Sequence, residues 1–267
     1  MSRVGIEPRA VTRWLILGVI GLLMALPIVA MVEFSLRGAP GEYTLDHWTG
    51  ILDPENERKY RGLFEGVGNS LLLAVVTVLI VNAMLVPTMV LVALRYPKLQ
   101  RWLEFVCLIP ITVPAIVLVV GLAPVYGVVS RIFGSSIWTL AFAYGITVLP
   151  YAYRAVRAAM DAVDIVTLSE AARSLGAGWL TVFFRVLVPN IRRGMLAASV
   201  IATAVVLGEF TIASLLNREN LQTSVLLISR SDPYVATIFA LLALLFAFVL
   251  LVIIGRVGAV QPRRSSS

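Results

Sequence analysis

The chain holds few side chains that could do covalent chemistry. His47 is its one histidine and Cys107 its one cysteine. A His-based triad, a multi-His or cysteine-based metal site and an intrachain disulfide are therefore excluded. The sequence contains no HExxH, no paired aspartate cluster and no GxxxxGK[ST] loop to cradle phosphates, so ATP is not hydrolysed by this chain. One spacing does suit a mechanical task. Glu170-Ala171-Ala172 is followed after three residues by Gly176, and nine residues later by Val186-Leu187-Val188-Pro189. Ala171 and Ala172 are small enough for a partner surface to approach the backbone. Gly176 lets the chain turn sharply out of a helix without a Cβ penalty. Glu170 can close a helix cap or pair with a base across an interface. A second candidate is Glu209, the one carboxylate well inside an apolar stretch. Near a bilayer centre such a charge costs at least about 2.5–3.5 kcal/mol, so it faces the bundle or a water-filled path. Two roles stay open for it: lining a translocation pathway or gate, or packing near the outer end, paired with Arg218 or a backbone group. Asn82, Thr77 and Thr112 are further candidates for the pathway or for hydrogen bonds between helices.

The elements that must position these residues are membrane helices. The 267 residues are 59% hydrophobic and 14% charged, against about 45–50% and about 25% in a soluble domain. The apolar residues fall in blocks of the roughly 20 residues that a helix needs to cross a bilayer. Six spans are expected, at 14–32, 70–94, 103–123, 137–153, 195–216 and 234–255. The fold class is thus all-α, a polytopic transmembrane helical bundle. The first block has Arg3, Arg9 and Arg13 before it, as a signal peptide would, but it is long for one and Ile28-Val29-Ala30 is a poor cleavage site. It is read as an uncleaved span. With both termini in the cytoplasm, 15 of the 22 Lys and Arg lie on that side and 7 outside, as the positive-inside bias demands. A net charge of +7 would suggest nucleic acid in a soluble protein. Here the basic residues sit at the ends of apolar blocks, and no nucleic-acid partner is expected.

Two connections are long. Residues 33–69 read as an outer, solvated loop. Residues 154–194 lie inside and carry helical signals of their own. Thr167-Leu168-Ser169-Glu170 has capping-box spacing, and Gly176-Ala177-Gly178 can end the helix it starts. A second apolar-faced stretch, 179–188, then runs into Pro189. Pro87, Pro110, Pro114 and Pro150 are expected to mark bends.

The pattern from Glu170 to Pro189 resembles the EAA signature of binding-protein-dependent ABC importer permeases of the type I, MetI-like family. That signature is Glu-Ala-Ala, three residues, Gly, nine residues, then Ile, any residue, Leu, Pro. Val186 and Val188 are its two aliphatic departures here, and its place before the penultimate span also fits. The resemblance runs from Phe64 to Gly255 and includes Gly68-Asn69-Ser70-Leu71 at the opening of the second span. It implies a permease core at 64–256 with its coupling loop at 154–194. Residues 1–63 then form a cytoplasmic tail, a first span and an outer loop, and residues 257–267 a second tail. It implies that Glu170, Ala171, Ala172, Gly176 and Pro189 couple the chain to an ABC ATPase. This chain then has no cofactor, and ATP and Mg belong to that partner.

The remaining implied partners are a second permease homologue, an extracytoplasmic substrate-binding protein that docks on the outer loops, and the surrounding bilayer of the inner membrane. Glu209, Asn82 and Thr112 are the pathway candidates. The stretch from Gly208-Glu209-Phe210 to Leu216 is similar to spermidine/putrescine permeases, which makes a polyamine the expected solute. Gly-Glu-Phe at this place also resembles molybdate and sulfate permeases. Phosphonate, sugar and ferric ion are further possible solutes. A stand-alone channel or secondary carrier would not need the docking motif, and an exporter would not carry an importer's signature.

Overall fold

The structure, a computed structural model, describes residues 10–259. Arg3, Arg9, Arg263 and Arg264, which the sequence assigns to the cytoplasmic side, lie outside the described residues, as does the expected tail from 260 onward. At 257–259 the chain is still helical.

Every regular element among the described residues is helical. The long ones are α1 (Ala10–Ser35), α3 (Glu57–Arg95), α5 (Ala115–Phe133), α6 (Ala141–Ala162), α9 (Val188–Gly208) and α12 (Pro233–Ala259). Between them stand α2 (Asp46–Gly50), α4 (Gln100–Thr112), α7 (Ile165–Ser174), α8 (Trp179–Thr181), α10 (Thr211–Leu215) and α11 (Leu221–Ser229). Five helical stretches are long and apolar enough to cross a membrane: Val11–Ser35, Pro54–Arg95, Ala115–Phe133, Trp179–Gly208 and Pro233–Ile253. With 22 residues α6 is also long enough, but it carries Arg154, Arg157 and Asp161 towards its end and buries one face.

Three expected boundaries need correction. The outer loop of 33–69 is largely helix, because α3 begins at Glu57 and α2 occupies Asp46–Gly50. At 39 residues, α3 is about 58 Å long and must project well beyond a hydrocarbon core of roughly 30 Å. The third expected span is two helices. Pro114 crowds the residue before it out of the helical region, and both Val113 (φ −100°, ψ 122°) and Pro114 (φ −56°, ψ 140°) are extended. The fifth expected span is likewise broken, after Gly208.

The contacts divide the chain into two units, one of residues up to Tyr60 with Val225–Leu244, the other of Arg61–Ser224 with the chain from Leu245. In the first, α1 is apolar on all faces and its side chains from Trp14 to Val29 are exposed, as a lipid-facing helix requires. At its end Phe34 and His47 both stack on Tyr234, with ring centroids at 5.0 and 4.3 Å. Asp232 caps α12 by accepting from the Val235 amide at 3.2 Å. The same carboxylate accepts from Lys59 Nζ at 2.7 Å and from the Tyr60 hydroxyl at 2.9 Å.

The second unit is built on the close approach of α6 and α9. A Cβ on Gly194 would collide with the Ala159 methyl and lie 2.8 Å from the Ala155 carbonyl oxygen. Small residues let these two backbones touch, the usual device where helices pack without a hydrophobic driving force. Around this pair lies one buried cluster of Val81, Val90, Val156, Leu187 and Ile191 with their neighbours. A second cluster of Leu73, Tyr126, Leu140, Tyr144 and Ile212 lies nearer the broken end of α9.

Candidate functional site: an exposed helix and a broken span

Helix α7 carries the spaced motif, and its first end is set differently from expectation. The cap is Asp164, in a left-handed conformation (φ 43°). Its carboxylate accepts from the Thr167 hydroxyl at 2.7 Å and, more weakly, from the Thr167 amide at 3.4 Å. Those bonds hold the Asp164 carboxyl below its ordinary value. Thr167 therefore lies inside the helix, and the expected capping box over Thr167–Glu170 does not form. Asp164 supplies the acceptor three residues earlier, and Glu170 is left free of the cap.

The other end forms as the glycine suggests. Gly176 has φ +84°. Its amide donates to the Arg173 carbonyl at 2.9 Å, and the Ala177 amide donates to the Ala172 carbonyl at 3.1 Å. This pair of bonds is a Schellman motif, which satisfies the helix's last carbonyls and reverses the chain.

The resulting helix has two faces. Ile165 and Ser169 are buried, and Leu168, Ala172 and Ala177 pack against the first core cluster. Glu170 and Ala171 face outward, and Leu175 at the tip is 89% exposed. The two alanines of the motif thus part company: Ala171 is free to meet a partner, whereas Ala172 seats the helix on its own protein. Glu170 has no ion pair among the described residues; its carbonyl accepts from the Ser174 hydroxyl at 2.9 Å.

Pro189 does not end the following helix. The chain is helical without a break from Trp179 to Gly208, with a π-helical turn over Val182–Leu187. A proline inside an α-helix removes one hydrogen bond and its ring crowds the carbonyl four residues back. The wider π turn just before it relieves that crowding. The Asn190 side chain donates to the Val186 carbonyl at 2.7 Å. Helix α7 is therefore joined through one glycine corner to a single continuous helical stretch of 30 residues.

At the far end of that stretch α9 breaks. Gly208 is its last residue, and Glu209 is extended (φ −85°, ψ 127°). Both Glu209 carboxylate oxygens accept from the Ile212 amide at 3.0 Å, so the side chain satisfies an orphan donor of α10. Arg218 takes no part; it donates to the Ser130 hydroxyl at 2.9 Å. Of the two packing partners considered for Glu209, the backbone group is the one present. The Asn220 side chain donates to the Glu209 carbonyl at 2.7 Å and to the buried Tyr144 hydroxyl at 3.2 Å. Gln222 donates to the Leu207 carbonyl at 2.8 Å. Polar side chains at the start of α11 thus close the open end of α9, as non-helical backbone at membrane depth requires.

Helix α3 holds that segment in place. Ser70 Oγ accepts from the Leu221 amide at 2.8 Å, and Asn69 donates to the Glu219 carbonyl at 3.0 Å. Asn220, Tyr144 and Gln222 were not singled out from the sequence. The signal was available in Asn220-x-x-Thr223, whose side chains bond each other's amides at 2.9 Å to cap α11.

The other pathway candidates stand apart from Glu209, with no shared hydrogen bond. Asn82 donates to the Val78 carbonyl and to Ser199 Oγ, both at 3.0 Å, and so ties α3 to α9. Its Oδ1 and the Thr77 hydroxyl are buried without a partner. Thr112 bonds within its own helix, to Ile109 at 2.7 Å.

Comparison with known proteins adds two findings. Residues 86–265 match the family described as "Binding-protein-dependent transport system inner membrane component". The chain is also similar to the molybdenum transport system permease protein ModB of Escherichia coli strain K12, 44% identical over 61 residues, and equally to that of Escherichia coli O157:H7. That match spans 23% of this chain and 26% of each relative, about a quarter of their length.

Proposed function

The chain belongs to the family of binding-protein-dependent transport system inner membrane components, and from that premise we propose that it is the permease subunit of an ATP-binding cassette importer. It forms half of a translocation pathway, and a second, homologous permease closes the other half. Two ATPase subunits bind ATP and its Mg. A substrate-binding protein delivers the solute to the outer segments at 33–69, 127–136 and 217–232. Both termini lie in the cytoplasm.

The observation that carries this reading is the mechanical continuity from α7 to the break in α9. Glu170, Ala171 and Leu175 form an exposed knob with an apolar tip, suited to a cleft in an ATPase. Gly176 turns the chain into the rod that starts at Trp179, and Pro189 sits in that rod beside the π turn. When nucleotide binding draws the ATPases together, the knob moves with them and the rod carries the motion to Glu209 and Phe210. There a loop closed only by side chains can open at less cost than a helix. In this alternating-access scheme Glu209 shapes the gate through its bond to Ile212, and Asn82 and Thr112 line other parts of the path.

Two substrate readings follow. The resemblance of 208–216 to polyamine permeases favours a cation attracted by Glu209. The similarity to the molybdenum permease favours a small oxyanion. We favour the oxyanion, because the Glu209 carboxylate is engaged in capping α10 and its charge no longer recommends a cation. The test of the whole reading is to isolate the tagged chain from native membranes in mild detergent and identify its partners by mass spectrometry. An ABC ATPase and a second permease are expected, and the accompanying binding protein can then be titrated with molybdate and with spermidine. An intact, abundant chain with neither partner would leave a stand-alone channel or carrier.

A further inference from the structure

A pocket of about 570 Å³ opens between the C-terminal end of α3 and helix α7. Its walls are apolar at Leu91, Leu94 and Val166, and its polar rim carries Arg95, Ser169 and Arg173. Neither Arg95 nor Arg173 has an ion pair or a side-chain hydrogen bond among the described residues. Two free guanidiniums on one concavity match the fork geometry that binds phosphate oxygens in pairs. Glu170 also lines the pocket. Its carboxylate leaves a net charge of one positive unit, which suits a phosphodiester with one negative charge better than a dianion.

The position of the pocket narrows the ligand further. Arg95 is the last residue of α3, directly after the apolar run, where a span leaves the hydrocarbon. Trp179 closes one side with an indole 45% exposed, and indoles favour the boundary between hydrocarbon and headgroups. Apolar walls that continue a membrane span, beneath a cationic rim, fit an amphiphile better than a soluble ion. The geometry points to an anionic phospholipid seated here, its phosphodiester between Arg95 and Arg173 and its acyl chains along Leu91, Leu94 and Val166. This lipid bridges α3 to the docking helix. The inference requires only that α3 spans the membrane and is independent of what α7 docks onto.

The test uses the purified, delipidated full chain in detergent and native mass spectrometry with phosphatidylglycerol, phosphatidylcholine and inorganic phosphate as separate probes. Arg95→Gln with Arg173→Gln should lower phosphatidylglycerol retention about fivefold for one charge and up to about thirtyfold for both. Lys98→Gln with Arg101→Gln, neighbouring cations outside the pocket, should retain it as the wild type does. Equal retention by the Arg95/Arg173 variant, or equal retention of phosphatidylcholine, would overturn the assignment. Displacement of the lipid by inorganic phosphate would overturn it in favour of a soluble oxyanion. A second measurement guards against a misfolded variant: brominated phosphatidylglycerol should quench the emission component lost in Trp179→Phe. An unquenched Trp179 overturns the proposal independently.

Discussion

Both carboxylate oxygens of Glu209 accept from the Ile212 amide, each at 3.0 Å. The carboxylate at the break after α9 is thereby engaged at the start of α10. Glu209→Gln keeps an oxygen acceptor for that amide, whereas Glu209→Ala orphans it. The alanine variant should lose about 0.5–2 kcal/mol of stability, the usual worth of an N-terminal cap; the glutamine variant should lose less and still import solute. Thermal unfolding and uptake into proteoliposomes of the assembled complex check both. Loss of uptake in a fully stable Glu209→Gln would show that the charge itself acts in the pathway.

Gly176 holds a left-handed corner at φ +84°. Gly176→Ala should cost about 1–2 kcal/mol locally, the penalty of a Cβ in that conformation. Gly176→Pro cannot adopt it at all and also loses the amide that reaches Arg173. It should abolish ATP-driven uptake while leaving membrane insertion intact, as read by protease protection. Full uptake would remove Gly176 from the lever.

Leu175 is exposed and makes no packing contribution to preserve. Leu175→Asp should change stability by less than about 0.5 kcal/mol and yet prevent co-purification of the ATPase. Undiminished co-purification would mean that the partner grips another part of α7.

Two glycines mark close backbone approaches. A side chain on Gly194 meets Ala159 and the Ala155 carbonyl; one on Gly66 meets the Ser224 hydroxyl and the Asn220 carbonyl. Gly194→Ala and Gly66→Ala should each destabilise by about 1–3 kcal/mol, the range for overpacking. Gly68→Ala has open space and should be neutral. Melting temperatures of the three variants in one detergent decide the matter.

Burial works to raise the Asp232 carboxyl, but hydrogen bonds from Lys59, the Val235 amide and Tyr60 outweigh it, so its value lies below the ordinary 3.8. A lowered acid contributes stability that is complete above its unfolded value and is lost as pH falls through the folded one. The stability gap between wild type and Asp232→Asn should therefore be constant near neutrality and close below about pH 4. A gap that closes between pH 6 and 8 would assign the tie to another group.

The C-terminal end of α7 was legible in the sequence because its cues are local. The Gly176 corner follows from a residue type and its neighbours, whereas the sequence left Glu170 between a helix cap and an interface, and the burial of Ile165 and Ser169 is what turns it outward. The capping box was misplaced because Asp164, Thr167 and Ser169 all have cap chemistry, and sequence alone does not say which of them takes the left-handed position. The stretch 179–188 running into Pro189 does not show by itself that the helix continues; the π turn before Pro189 depends on how Val182, Phe183 and Leu187 bury against the core.

By itself the sequence determined an all-helical membrane chain and the glycine corner at Gly176, because hydropathy and glycine freedom act over a few residues. Only the tertiary structure decided that Glu209 caps α10 and does not pair with Arg218. It alone brought Ser70 to Leu221 and Asn220 to Tyr144, across 151 and 76 residues. Those pairings depend on how closely neighbouring backbones approach: Gly194 lets α9 meet α6, and Gly66 lets α3 meet the chain at Asn220 and Ser224. Such a fit is a property of two surfaces at once, and no single stretch of sequence contains both.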